Sequence, residues 1–154
     1  MLALGADRVL QRDGTVLNPH YQNMGLYGSE YWTYLLPGRV GRKAALSLTS
    51  ECLPIGAREA RRIGLADATL TGTVHDFEMA AARYAAGLAV APDYADQLAR
   101  KQERRDVDER RRPLAQYRRQ ELAEMRVDIV DDRRGFADAR RAFIRKQVQR
   151  RPAA

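Results

Sequence analysis

Residues 16–41 gather four of the seven tyrosines, the only tryptophan, one of the two histidines and four of the eleven glycines into 26 positions. So many turn formers rule out one long helix or strand. Asn18-Pro19 stops a strand, and Gly25 and Gly28 allow backbone conformations closed to other residues. The spacing predicts one short helix over residues 30–36, capped by Ser29 and ended by Pro37-Gly38. That helix would fan Glu30, Tyr31, Trp32 and Tyr34 around a glycine-lined opening. The density of functional groups exceeds what packing needs, so the stretch reads as a site.

The flanks supply little sheet. Residues 7–10 and 15–17 read as short strands joined by the turn Arg12-Asp13-Gly14-Thr15, where Asp-Gly suits a tight hairpin-like connection. Helices are expected over 42–49 and 57–63, the second stopped by Gly64. From Thr73 the pattern changes. Thr73 with Asp76 makes a capping signature, and Val74, Phe77, Ala81, Tyr84 and Leu88 recur at helical spacing. Further helices are expected over about 93–112, with a later half too charged to be buried, and from Pro113, with Leu114, Tyr117, Leu122, Met125 and Ile129 as its apolar stripe. A turn at 131–135 precedes a last helix over 136–148, offering Phe136, Phe143, Ile144 and Val148 for packing. Two strands cannot make a stable sheet. The chain therefore reads as part of a larger domain, with residues 1–72 holding the site and 73–154 forming a helical region.

The net charge of +7 lies wholly in the tail: residues 1–100 hold 10 basic and 10 acidic groups, residues 101–154 hold 17 and 10. Acids including Glu121 and Glu124 are interleaved at spacings that pair along helices, and stacking aromatics are sparse. A solvated helical face or a dock for an acidic partner is thus expected rather than a nucleic-acid surface. No apolar run is long enough to span a bilayer and no leader pattern opens the chain, which reads as cytoplasmic. The single cysteine, Cys52, reads as a packed residue, and no metal-ligand cluster is visible.

Within the site, His20 follows a proline after a strand end and can move a proton near neutral pH. Glu30 is a candidate acid or base. Tyr21 and Tyr27, on loops, are better functional candidates than Tyr31 and Tyr34, which share one helix face, while Trp32 points elsewhere as packing. Ser29 is explained by capping and His75 by a surface position in a first helical turn. Arg39, Arg42 and Lys43 are the cations available for phosphates.

In order and spacing, three segments resemble the crotonase superfamily of enoyl-CoA hydratases and isomerases: Ala3-Leu4-Gly5-Ala6-Asp7-Arg8-Val9, Leu36-Pro37-Gly38-Arg39-Val40-Gly41, and Ile55 to Asp67 with Glu59-Ala60 and Ile63-Gly64-Leu65. Leu17-Asn18-Pro19-His20-Tyr21, Leu26 to Tyr34, Arg112-Pro113-Leu114 and Glu121 to Met125 further resemble the C-terminal domain of the HoxX-type hydrogenase maturation factors. The resemblance implies an α/β, crotonase-like (ClpP/crotonase) fold, of which this chain holds only the C-terminal half, mostly helical with two short strands. It implies a coenzyme A thioester as substrate, with no metal, and an oxyanion-binding pair of N–H groups lying before Met1. One family carboxylate falls near Met1, where there is no acid, and the other near His20. The parent protein is implied to convert formyl-CoA to carbon monoxide and coenzyme A for nickel-iron hydrogenase assembly, with hydrogenase maturation proteins as partners. The isolated chain, lacking the N-terminal half of the domain, is expected to be inactive. Alternatives are a piece of an ordinary enoyl-CoA hydratase or isomerase acting on acyl-CoA, and a non-catalytic helical interaction module.

Overall fold

Trp32 and Leu36, one helical turn apart on helix α1 (Trp32–Val40), enter the core together with Ala45 of helix α2 (Arg42–Glu51). Ile55, Ala60, Leu65 and Ala66 complete this small core, and Leu4, Val9 and Leu17 pack at its edge. The computed structural model describes residues 2–146. α1 and α2 pack closely, and Ala45 on α2 and Ala60 on helix α3 (Ala57–Arg62), 1% and 0% exposed, lie in the core they share with Trp32 and Leu36.

Four strands are present among the described residues, each of two or three residues. β1 (Leu10–Arg12) pairs in parallel with β4 (Ala68–Leu70), and β2 (Val16–Leu17) pairs antiparallel with β3 (Ile55–Gly56). The Asp13-Gly14 turn forms, with the Thr15 N–H on the Arg12 carbonyl, but it does not close a hairpin. Instead it hands the chain from one two-stranded sheet to another. The expected count of two strands is corrected to four: β3 and β4 are too short for alternation to show, and each exists because a distant strand supplies its partners.

The first helix also departs from expectation. Ser29 does not cap it and Pro37-Gly38 does not end it; α1 starts at Trp32, after Tyr31 in a left-handed conformation (φ 56°, ψ 26°), and runs through Pro37 to Val40. Pro37 removes one intrahelical donor, yet the helix persists because Leu36, 1% exposed, is anchored in the core.

The remaining elements are helical. Helix α4 (Val74–Ala89) begins with the Thr73–Asp76 capping box. Helix α5 (Tyr94–Arg111) buries no residue at all, and reaches the rest of the molecule through Lys101 to Asp7 and Tyr34 to Asp108. On helix α6 (Leu114–Val130) the expected stripe holds at Leu114, Tyr117 and Met125 but not beyond: Leu122 and Ile129 are about half exposed, whereas Glu121 and Asp128 are fully buried. The inward face follows 114, 117, 121, 125 and 128, so two carboxylates occupy positions expected to be apolar or solvated. Helix α7 (Phe136–Ile144) leaves Phe143 and Ile144 exposed, and Val148 lies outside the described residues. Among the described residues no helix is long and apolar enough to cross a membrane.

Candidate functional site

Asn18-Pro19 ends β2 and turns the chain so that His20 and Tyr21 stand at the mouth of an apolar cavity of about 240 Å³. Leu4, Val9, Leu17, Leu36, Leu48 and Leu65 form its apolar wall.

Tyr21 opens a single 3-10 turn (Gln22–Met24), and its carbonyl accepts from both Met24 and Leu26 N–H. This fixes the ring against Gly28, whose φ is 93°. A Cβ there would lie 3.0 Å from Tyr21 Cδ2 and 3.1 Å from Trp32 Cδ1. Gly28 is therefore required both for its backbone and for the space in which the two rings meet.

The Tyr21 hydroxyl donates to the Glu30 carboxylate, both side chains being half-buried. Burial pushes the Tyr21 phenol well above its ordinary value, and the hydrogen bond to Glu30 and the charges of Glu30 and Glu121 push it the same way. Tyr21 accordingly keeps its proton, shared with a carboxylate, beside an apolar cavity: a site able to hold and pass one proton.

His20 is exposed and stacks on Tyr21, ring centroids 6.4 Å apart at 10°. Its Nδ1 lies 2.8 Å from the Asn18 carbonyl. A carbonyl only accepts, so Nδ1 carries the proton in this contact and Nε2 is left as the acceptor.

Tyr27 is not brought into this pair. Its ring packs 5.3 Å from Trp32, with the Arg134 guanidinium 5.7 Å from its centroid, and burial raises its phenol. Tyr34 packs tilted against Tyr117, ring centroids 5.3 Å apart, and donates to Asp108, while Tyr31 faces a separate cleft of about 410 Å³ against α5. Arg39 is engaged by Asp67 at 2.7 Å and reaches the Leu65 carbonyl. Arg42 and Lys43 stand exposed in the first turn of α2. Cys52 is buried, its thiol on the Thr49 carbonyl, and His75 is exposed at the start of α4.

Two contributors from α6, Glu121 and Met125, were not named as site residues in the sequence. Glu121 reaches across from α6 to accept from the Tyr31 and Thr33 N–H groups, at 2.8 and 2.9 Å, and from the Thr33 hydroxyl. Gly28 and Met125 meet where the Gly28 N–H contacts the Met125 sulfur at 3.1 Å. The signal for Glu121 was its phase: it shares the register of Leu114, Tyr117, Met125 and Asp128. Among the described residues no three His, Cys, Asp or Glu side chains are gathered as a metal would need.

No family model matches the chain. Among solved structures, an enoyl-CoA hydratase/isomerase from Pseudoalteromonas atlantica T6c superposes with TM-score 0.77 over 97% of this chain and 58% of its own, at 19% identity. The chain therefore carries a crotonase-like fold. HypX from Aquifex aeolicus, as a double variant, superposes with TM-score 0.86 over 97% of this chain at 32% identity, and its complex with tetrahydrofolic acid gives 0.85 at 33%. Hydrogenase maturation factor HoxX of Bradyrhizobium diazoefficiens is 44% identical over 148 residues, 94% of this chain. The chain is a homologue of these hydrogenase maturation factors and spans about a quarter of their length, 26% of HoxX and 27% of HypX.

Proposed function

We propose that this chain forms the acyl-CoA-binding part of a HoxX-type factor, and that the Tyr21–Glu30 pair moves the proton when formyl-CoA is split into carbon monoxide and coenzyme A. The observation that carries this reading is the hydrogen bond to Glu30 from the hydroxyl of Tyr21, a residue that lines an apolar cavity, in a chain homologous to HoxX.

The reaction balances without an oxidant. The formyl C–H proton leaves, its electron pair becomes the carbon lone pair of carbon monoxide, and the C–S bond breaks with its pair on sulfur. A proton returns to sulfur to give the thiol. Glu30 is the terminal base and Tyr21 the hydroxyl that passes the proton, an arrangement in which neither group need carry a second charge in a half-buried site. The proton taken up by Glu30 is the one that returns to sulfur, back through the Tyr21 hydroxyl; the His20 Nε2, an acceptor beside Tyr21, could take it up and hand it on. Arg42 and Lys43, exposed, are the cations free to meet coenzyme A phosphates; Arg39 would have to leave Asp67 to do so. Another part of such a protein would supply the formyl group from a tetrahydrofolate carrier, in keeping with the tetrahydrofolic acid bound by HypX. The setting is cytoplasmic, with other hydrogenase maturation proteins as partners.

The test is carbon monoxide release from formyl-CoA by the polypeptide that carries this chain. Tyr21→Phe and Glu30→Gln are each expected to lower it by about 10²- to 10⁴-fold, the usual span of a general acid–base contribution. Unchanged release in both variants would remove the pair from the reaction, and preferential turnover of crotonyl-CoA would replace formyl-CoA chemistry with ordinary hydration.

A further inference from the structure

Glu121 is 0% exposed, and its carboxylate is met by three donors, all from residues 31–33. Oε2 accepts the Tyr31 N–H; Oε1 accepts the Thr33 N–H and the Thr33 hydroxyl. A local cap from a serine or threonine would satisfy such helix-start N–H groups with no buried charge. Here a glutamate some 90 positions away is used instead. The N-terminal end of α1 offers that charge a favourable dipole, which accounts for its being tolerated but not for its presence.

What the carboxylate fixes is the backbone between Glu30 and Trp32. Tyr31 sits at φ 56°, the left-handed region that a non-glycine residue enters only against the clash of its Cβ with the backbone. That single left-handed residue turns the chain so that Trp32 enters the core while Glu30 stays outside the helix, facing Tyr21. With Tyr31 in the ordinary right-handed region, α1 would extend backward through Glu30 and carry its carboxylate around the helix axis. Holding the Tyr31 and Thr33 amides on one rigid carboxylate selects the turned state.

We infer that Glu121 is a positioning residue for the Tyr21–Glu30 pair, acting through the Tyr31 and Thr33 backbone. It rests on the pair being the working proton relay, and extends the site into α6. Its negative charge acts in the same sense, adding to burial and to Glu30 in keeping the Tyr21 phenol protonated.

The test has two independent arms. In the chain carrying 13C-tyrosine, the Tyr21 Cζ resonance, assigned with Tyr21→Phe, reports donation to a carboxylate, and Glu30→Gln defines its position with a neutral acceptor. Glu121→Gln is expected to move it in the direction of the Glu30→Gln value and to accelerate amide exchange at Tyr31 and Thr33 at least about tenfold. Should Glu121→Gln fail to fold, Thr33→Val, which removes only the hydroxyl donor, is read the same way and is expected to give a smaller shift. In the second arm, the polypeptide carrying this chain with Glu121→Gln should lose about 10²-fold in kcat on formyl-CoA with KM unchanged, the scale of a small misplacement of reacting groups. It should lose little more when Tyr21→Phe is already present. A Tyr21 resonance unmoved in folded Glu121→Gln, or in Thr33→Val if only that variant folds, would overturn the positioning role. Turnover unaffected by Tyr21→Phe and Glu30→Gln would instead sink the formyl-CoA reading, leaving the resonance arm to decide positioning by itself.

Discussion

Gly25 lies so close to Phe136 that a Cβ built on it would stand 2.7 Å from the Phe136 amide nitrogen and 2.9 Å from its Cα. The turn after Tyr21 and the start of α7 are thus packed backbone to backbone, and at φ 70° Gly25 is also in the left-handed region. Gly25→Ala should therefore cost at least the 1–3 kcal/mol typical of overpacking, roughly, because the obstacle is main chain and cannot rotate away. Urea unfolding would measure this loss, and faster amide exchange in α7 would locate it.

Leu36 is 1% exposed and borders both the core and the cavity beside Tyr21. Leu36→Ala should destabilise by about 2–5 kcal/mol, toward the upper end because the new space merges with a cavity that cannot collapse. The same denaturation assay checks it, and an apolar probe should bind the enlarged cavity more tightly than the parent's.

Asp67 joins three elements through one oxygen, Oδ2, which accepts the Val9 N–H at 2.6 Å and the Arg39 guanidinium at 2.7 Å. Burial alone would push its carboxyl up, but Arg39 and the Val9 amide outweigh this and hold it below the ordinary value. A lowered folded-state pKa means stability that is present above the unfolded carboxylate value of about 3.9 and lost as pH falls through the folded one. Asp67→Asn should cost about 1–2 kcal/mol at pH 7, with the pair partly solvent-screened, and converge on the parent near pH 2, roughly. Thermal melts across that range would show the convergence.

Tyr21 carries the opposite sign at the other end of the scale. Its phenol is raised first by burial and then by Glu30, so the folded chain keeps a proton that the unfolded chain releases above about pH 10. Its contribution to stability is full below that pH and declines as pH rises through the folded value. Difference absorbance of tyrosinate at about pH 11 should show no Tyr21 ionisation while the chain is folded, judged against Tyr21→Phe; Glu30→Gln should bring that ionisation to lower pH.

At Thr73 the side chain accepts from the Asp76 N–H while Asp76 reaches back to the Thr73 N–H. Thr73→Ala should cost about 1 kcal/mol and fray the first turn of α4, read as loss of amide protection at His75 and Asp76.

The helical half was legible where one element decides its own form. The Thr73–Asp76 box, the stripe of Phe77, Ala81, Tyr84 and Leu88, the glycine stop at 64 and the turn over 131–135 are local chemistry, and each stands within a residue or two of its expected place. The crotonase-like fold was legible through the order of its motifs rather than through strands. Tyr21 and Glu30 could be nominated singly, because loop tyrosines and an acid beside glycines are local features.

That Tyr21 and Glu30 are partners, and that Tyr27 belongs to Trp32 and Arg134 instead, was decided only by the tertiary structure. So were β3 and β4, since two or three residues become a strand only when a remote segment completes their hydrogen bonds. The start of α1 was misplaced for the same reason: local rules favour a serine cap, but a buried carboxylate from α6 supplies stronger, charge-assisted acceptors and moves the cap two residues on. By itself the sequence determined which residues could do chemistry and where the helices run, because those depend on neighbours within a turn. Which of those residues meet is set by the tertiary structure, which brings Asp108, Glu121 and Met125 to Tyr34, Tyr31 and Gly28 across 74, 90 and 97 positions, and only the assembled fold brings such groups within hydrogen-bonding distance.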